Sequence, residues 1–236
     1  MKDCLLILGM HRSGTSAVTG VLNILGLNLG KHVNLDKMEE NEKGFFENKR
    51  VKEINDAIFI RLNMRWDDVR IWDFWWENPE VVELKENAIK ILEYEFDDVE
   101  SFGIKDPRMC VTLPFWQNIL SDKYNIKTIL IMRNPLEVAF SLQKRNEFKI
   151  EKGLELWYQY NASAITHIQK HPNCIVKFDD LMNGTKEILS KMKKALKLNI
   201  LDYEDKKKEV DEFLTPSLRH FNLSENKAFQ LWSQIK

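Results

Sequence analysis

Gly9-Met10-His11-Arg12-Ser13-Gly14-Thr15-Ser16 follows the apolar run Cys4–Leu8 and opens a stretch of helical period. Its spacing is that of a phosphate-binding loop, GxxxxGK[ST], with Thr15 standing where the lysine belongs. A strand, a glycine turn and a helix start together present backbone N–H groups to an anion, and the positive end of the helix dipole adds to them. The missing lysine is the group that reaches the β and γ phosphates of a nucleoside triphosphate. A positive charge returns at Arg12, two residues before Gly14. The loop is therefore suited to a phosphate carried by a ligand other than ATP or GTP.

At 236 residues the chain has room for one large domain, or for a core with an inserted cap. We expect a single domain over residues 1–236 with a substrate-cap region around 31–100. Composition (44% hydrophobic, 30% charged) is that of an ordinary globular protein, and the formal net charge of −1 argues against broad attraction to nucleic acid or acidic membrane. The N-terminal apolar run is too short to span a membrane, and cleaving it as a signal would remove the phosphate loop. No transmembrane segment and a cytoplasmic location are expected. Cys4, Cys110 and Cys174 show no metal-binding spacing and read as buried, reduced thiols.

Short β-rich runs alternate with segments of helical period, which predicts an α/β fold with a mainly parallel sheet. The expected strands are Cys4–Leu8, Gly103–Lys105, Thr128–Met132 and Ile175–Phe178. Expected helices include Thr15–Leu25, Val81–Phe96, Pro135–Lys144, Leu154–Gln169 and Lys186–Leu196. Asn134-Pro135 supplies an asparagine cap and a first-turn proline. Lys31–Asn48 and the aromatic-rich Trp66–Trp76 interrupt the alternation, and irregular segments after strand ends in such folds carry substrate contacts.

A second motif is Arg133-Asn134-Pro135, with Ser141 eight residues after Arg133. Arg133 closes an apolar strand, at the sheet edge where such folds bind ligands. Its guanidinium can fork onto a phosphate to which the Ser141 hydroxyl adds a donor, provided the helix folds back beside the strand end.

The two motifs together resemble the sulfotransferases that use 3′-phosphoadenosine 5′-phosphosulfate (PAPS), and the bacterial members in particular. The resemblance implies a P-loop-type three-layer fold with helices on both faces of the sheet. It also implies that Arg12, Ser13, Gly14, Thr15 and Ser16 hold the 5′-phosphosulfate, while Arg133 and Ser141 hold the 3′-phosphate. Gly44-Phe45-Phe46-Glu47 is similar to a GxxE element of bacterial members, Lys177–Leu181 to their Y-E-D-L turn, and Lys105-Asp106-Pro107-Arg108 to a recurrent bacterial stretch. The likeness runs from about Leu5 to Leu198. PAPS has no γ-phosphate, so no loop lysine is needed, and sulfuryl transfer needs no metal. The product would be 3′-phosphoadenosine 5′-phosphate (PAP).

The implied reaction is in-line attack of an acceptor hydroxyl on sulfur, with Arg12 meeting charge on the leaving oxygen. A base must take the hydroxyl proton, and Glu47 is the first choice, ahead of His32 and Asp106. The alternative for Glu47 is a surface glutamate at a helix start. His11 reads as a packing residue of the loop. Lys105 and Arg108 either position an anionic substrate or stand exposed on a turn. Asp179 and Asp180 read as a helix cap, although as magnesium ligands they would support a nucleotide-dependent phosphotransferase. A non-catalytic nucleotide-binding module is the third reading. Trp66, Trp72, Phe74, Trp75 and Trp76 suit either sugar stacking or the core of a small cap. Arg219 is the candidate for a late basic loop over the nucleotide. The acceptor, a carbohydrate or small metabolite, and the oligomeric state are left open by these residues.

Overall fold

In the computed structural model, residues 1–36, 43–70 and 73–218 are described. Lys2–Leu8 (β1) is buried from Cys4 to Leu8 on both faces, as a central strand of a parallel sheet must be. It pairs in parallel with Ser101–Lys105 (β4) on one side and Tyr124–Met132 (β5) on the other; β5 pairs in parallel with Asn173–Lys177 (β6). The order is β4-β1-β5-β6. Every carboxyl end of this sheet therefore lies along one edge, and the strand order reverses at β1, where ligands of open α/β sheets bind. The Gly9–Gly14 loop leaves β1 at that point.

Successive β1 side chains point to opposite faces and seed two cores. Cys4, Leu6 and Leu8 meet the helices Lys49–Arg61 (α2), Leu84–Phe96 (α4), Met109–Leu120 (α5), Pro135–Asn146 (α6) and Ile150–Ile168 (α7), through Ile58, Leu92, Phe115, Val138 and Leu156. Leu5 and Ile7 meet Thr15–Ile24 (α1) through Val18 and Val21. On the same face lie Phe178–Asn183 (α8), Thr185–Leu196 (α9) and Lys207–Phe213 (α10), through Leu181, Leu189 and Val210. The result is the expected sheet with helices on both faces. The short helix Pro79–Val82 (α3) precedes α4 and breaks from it at Glu83, so the expected helix over 81–96 is two pieces. In α6, the Asn134 side chain accepts from Leu136 N and Pro135 fills the first turn, as the sequence predicts. Helix α5 escapes the periodicity: it is buried nearly all round and holds Pro114 inside, so it shows neither a stripe nor an unbroken pattern.

Residues 31–48 are not wholly irregular. Val33–Asn34 (β2) and Glu47–Asn48 (β3) form a small antiparallel ladder. Glu95 of α4 pins it, its carboxylate accepting from Lys31 N at 2.8 Å, His32 N at 2.9 Å and Asn48 Nδ2 at 2.7 Å. Asn48 also caps α2, accepting from Arg50 N and Val51 N. The aromatic stretch divides: Trp75 is core at 2% exposure, Phe74 points to solvent, and Trp72 lies outside the described residues. Asp179 and Asp180 are not the cap of α8. The cap position is Lys177, and the two aspartates stand in the first turn, where their charge complements the dipole.

Candidate active site

The β1 loop is shaped by three neighbours. Gly14, the residue before α1, has φ 88°, and a Cβ there would strike the Phe178 ring at the start of α8. Gly9, at φ 151°, leaves no room for a Cβ against Thr15 and the Ile131 carbonyl of β5. Arg12 takes φ 68°, a left-handed conformation that costs a non-glycine residue about 1–2 kcal/mol. Its Nε donates to Ser141 Oγ at 2.8 Å. Helix α6 thus does fold back beside the β5 end, and Ser141 comes to the loop.

Arg133 is nearly buried. Its Nε donates to Glu137 Oε2 at 2.7 Å, one turn along α6, and its guanidinium lies 5.0 Å over the Phe178 ring. Nη1 reaches the Arg12 carbonyl at 3.4 Å. Arg12, Arg133, Ser141 and the loop are therefore one assembly, joined through side chains that the linear sequence separates by more than a hundred positions.

Lys105, the last residue of β4, is 2% exposed, and its ammonium donates to Ser16 Oγ at 3.1 Å, Phe45 O at 2.8 Å and Glu47 Oε1 at 2.9 Å. A lysine reaches the phosphate loop after all, from the neighbouring strand rather than from within the motif. Glu47 is not a surface glutamate: at 8% exposure it is buried in β3, and breaking such an ion pair costs about 3–5 kcal/mol.

These residues wall a cavity of about 430 Å³ lined on the loop side by His11, Arg12, Thr15 and Ser16. Phe45, Glu47, Lys105, Lys52, Trp66, Pro107, Arg108, Arg145 and Asn146 complete the wall. His11 packs against Trp66 at 4.8 Å and Tyr160 at 5.8 Å between ring centroids. Burial, then the charges of Arg108, Arg145, Lys105 and Arg12, hold its pKa well below the usual histidine range, so the ring is neutral at pH 7. Among the described residues, His11 Nε2 and Ser13 Oγ are buried with no hydrogen-bond partner. A buried hydroxyl with no partner in a loop of glycines and cations fits an anionic ligand that supplies acceptors.

Two sequence candidates stand elsewhere. His32 bonds Glu95 Oε1 through Nδ1 at 2.6 Å and does not line the cavity. Asp106, 1% exposed, accepts from Asn55 Nδ2 and Arg108 Nη1, each at 2.9 Å, and forms the wall behind the cavity. Burial first, with Glu47 adding, pushes its pKa up against the pull of Arg108. Of the aromatic stretch, Trp66 lines the cavity. Arg219 lies outside the described residues. Among the described residues, no group of three His, Cys, Asp or Glu side chains is placed to hold a metal, and no helix is long and apolar enough to cross a membrane.

No curated protein sequence matches the chain. The sulfotransferase domain of the Synechococcus PCC 7002 olefin synthase superposes with a TM-score of 0.55 at 14% identity, over 100% of this chain and 96% of that one. The sulfotransferase domain from the curacin biosynthetic pathway gives 0.51 at 15%, over 100% and 98%. A sulfotransferase from Mycobacterium tuberculosis gives 0.51 at 12%, over 99% and 77%. At these identities the likeness is one of fold. The model for the sulfotransferase domain matches residues 2–222, a span that runs through the β1 loop, the buried lysine and the β5–α6 turn, and by it the chain belongs to the sulfotransferase family.

Proposed function

We propose that the protein transfers a sulfuryl group from PAPS to a hydroxyl of a carbohydrate or small metabolite, without a metal and in the cytoplasm. The observation that carries this reading is the charge at the loop: Arg12 and the buried Lys105 converge where the motif itself has no lysine. Lys105 also bears on the rival phosphotransferase. Its ammonium lies 3.1 Å from Ser16 Oγ, so a divalent ion on that hydroxyl would meet a fixed positive charge. The three cysteines are unpaired, in keeping with a reducing compartment.

Bound PAPS would supply a sulfuryl group whose bond to the phosphate oxygen breaks as the acceptor oxygen bonds to sulfur. Arg12, the N–H groups of 13–16 and Lys105 would hold that end and oppose the charge gathering on the leaving oxygen. Arg133 and Ser141 would hold the 3′-phosphate, and Arg219 would close over the nucleotide. Glu47 faces the cavity and would accept the hydroxyl proton, Lys105 holding it in place. The single domain, with region 31–100 as the acceptor wall, completes the proposal.

Calorimetry with PAP and 5′-AMP in the presence of a chelator tests this. PAP should bind at least tenfold more tightly, because the 3′-phosphate adds charge-assisted bonds of about 1.5–3 kcal/mol each. Arg133→Ala should remove most of that difference. Equal affinities for the two nucleotides would overturn the reading.

A further inference from the structure

The corner of the β1 loop carries a second side chain beside Arg12. A backbone hydrogen bond of 3.1 Å from Ser13 N to Met10 O closes a turn, with His11 and Arg12 as its two corner residues. Arg12, in the third position, takes a positive φ of 68°, as in a type II turn. The turn is anchored from behind: Met10 is fully buried, and Gly9 N donates to Cys110 Sγ at 3.1 Å. From this fixed corner the Arg12 guanidinium reaches Ser141, while the His11 ring packs on Trp66 and Tyr160 and lines the cavity. Tyr160 spends its hydroxyl on the Trp66 carbonyl at 2.7 Å. His11 Nε2 is buried and, among the described residues, has no hydrogen-bond partner. An unpaired buried nitrogen is costly, and a ring serving only to pack would avoid that cost as a phenylalanine.

We infer that His11 is a further catalytic residue, its ring N–H donating to a non-bridging oxygen of the sulfuryl group at the donor end of the cavity. This inference rests on the sulfuryl transfer proposed above. The proton of the acceptor hydroxyl goes to Glu47 in that reading, and sulfuryl oxygens only accept, so a ring N–H is matched to them. Burial, then the charges of Arg108, Arg145, Lys105 and Arg12, keep the imidazole neutral. A neutral ring still has one N–H to give, and it adds no third charge to Arg12 and Lys105. Held beforehand by the turn and two aromatic rings, such a donor needs no reorganisation as the sulfuryl group leaves.

PAPS carries the sulfuryl group and PAP lacks it, so comparing their affinities isolates this contact. Both are titrated, without acceptor, into the parent protein, His11→Phe, His11→Asn and His11→Gln. Phenylalanine keeps a ring on Trp66 and Tyr160 but has no N–H, and the two amides return a donor at different reach. PAP affinity should stay within a few-fold in all four proteins. In His11→Phe the affinity for PAPS relative to PAP should fall about tenfold, and at least one amide should restore most of it. An equal PAPS-to-PAP ratio in the parent and His11→Phe overturns the inference, as does a loss that neither amide restores. Should His11→Phe fail to fold, the parent labelled with ¹⁵N-histidine decides. Its His11 ring N–H signal should move downfield with PAPS and not with PAP, and the same response to both overturns the inference. Failure of the parent to bind PAP at all is a different result: it overturns the sulfotransfer reading, and this inference with it.

Discussion

Glu47 and Lys105 face each other at 2.9 Å, both nearly buried, with the cavity on one side and the phosphate loop on the other. A side chain so placed is held still and turned to the cavity, as the proposed base needs to be. Glu47→Gln keeps the shape and a hydrogen-bond acceptor for Lys105 but removes the basicity. Sulfuryl transfer should fall by about 10²–10⁴-fold, the range for a positioned base, with PAP affinity within a few-fold of the parent. Single-turnover rates beside a PAP titration give both numbers, and an unchanged rate would leave the glutamate as the counterion of Lys105 alone. At this scale the sequence was informative about residues inside a motif and weak on those outside one. Arg12, Ser141 and Arg133 fall together as their spacing implies. Lys105 stood between two readings, because nothing in Lys-Asp-Pro-Arg tells whether the lysine faces solvent or the loop. His32 and Asp106 had the chemistry of a base but are drawn away by Glu95 and by Asn55 with Arg108.

Among the elements, the β2–β3 ladder places Glu47, and α4 holds the ladder through Glu95. Two backbone N–H groups, Asn48 Nδ2 and the His32 ring all point at one carboxylate whose side chain is wholly buried. Burial pushes the Glu95 pKa up, but hydrogen bonds from Asn48 and His32 outweigh it and hold it below the usual glutamate range. A depressed folded-state pKa means stabilisation that is complete above the unfolded value and lost as pH falls through the folded one. Urea midpoints should therefore decline as the buffer is taken from neutral into the range below about pH 4.3. Glu95→Gln should lower stability at neutral pH by about 1–3 kcal/mol and flatten that acid decline. An acid decline as steep in Glu95→Gln as in the parent would assign it to other groups. The ladder is two residues long on each side, too short for any periodicity to reveal, and its stability comes from a helix more than forty positions away.

Across the whole molecule, Phe178 links parts of the site that arrive on different strands. Its ring lies against Gly14 of the β1 loop and under the Arg133 guanidinium at the end of β5, while at 1% exposure it packs into the core beneath α1 and α9. Phe178→Ala should cost about 3–5 kcal/mol of stability. PAP binding should weaken too, at temperatures where the variant is still folded, since both groups proposed to hold its phosphates lose their support. A variant with lower Tm but parental PAP affinity would limit Phe178 to packing. The sequence by itself determined the strand–loop–helix at residues 4–24, the β5–α6 turn with its cap, and the parallel α/β class. Each of these is written in neighbouring residues: apolar runs, glycines at turns, Asn-Pro before a helix. Tertiary structure alone decided that Lys105 supplies the loop's lysine, that Glu137 orients Arg133 and that Glu95 claims His32. Lys105 meets Ser16 because β1 and β4 run side by side in parallel, bringing together positions 89 residues apart, and no local spacing records which strands become neighbours.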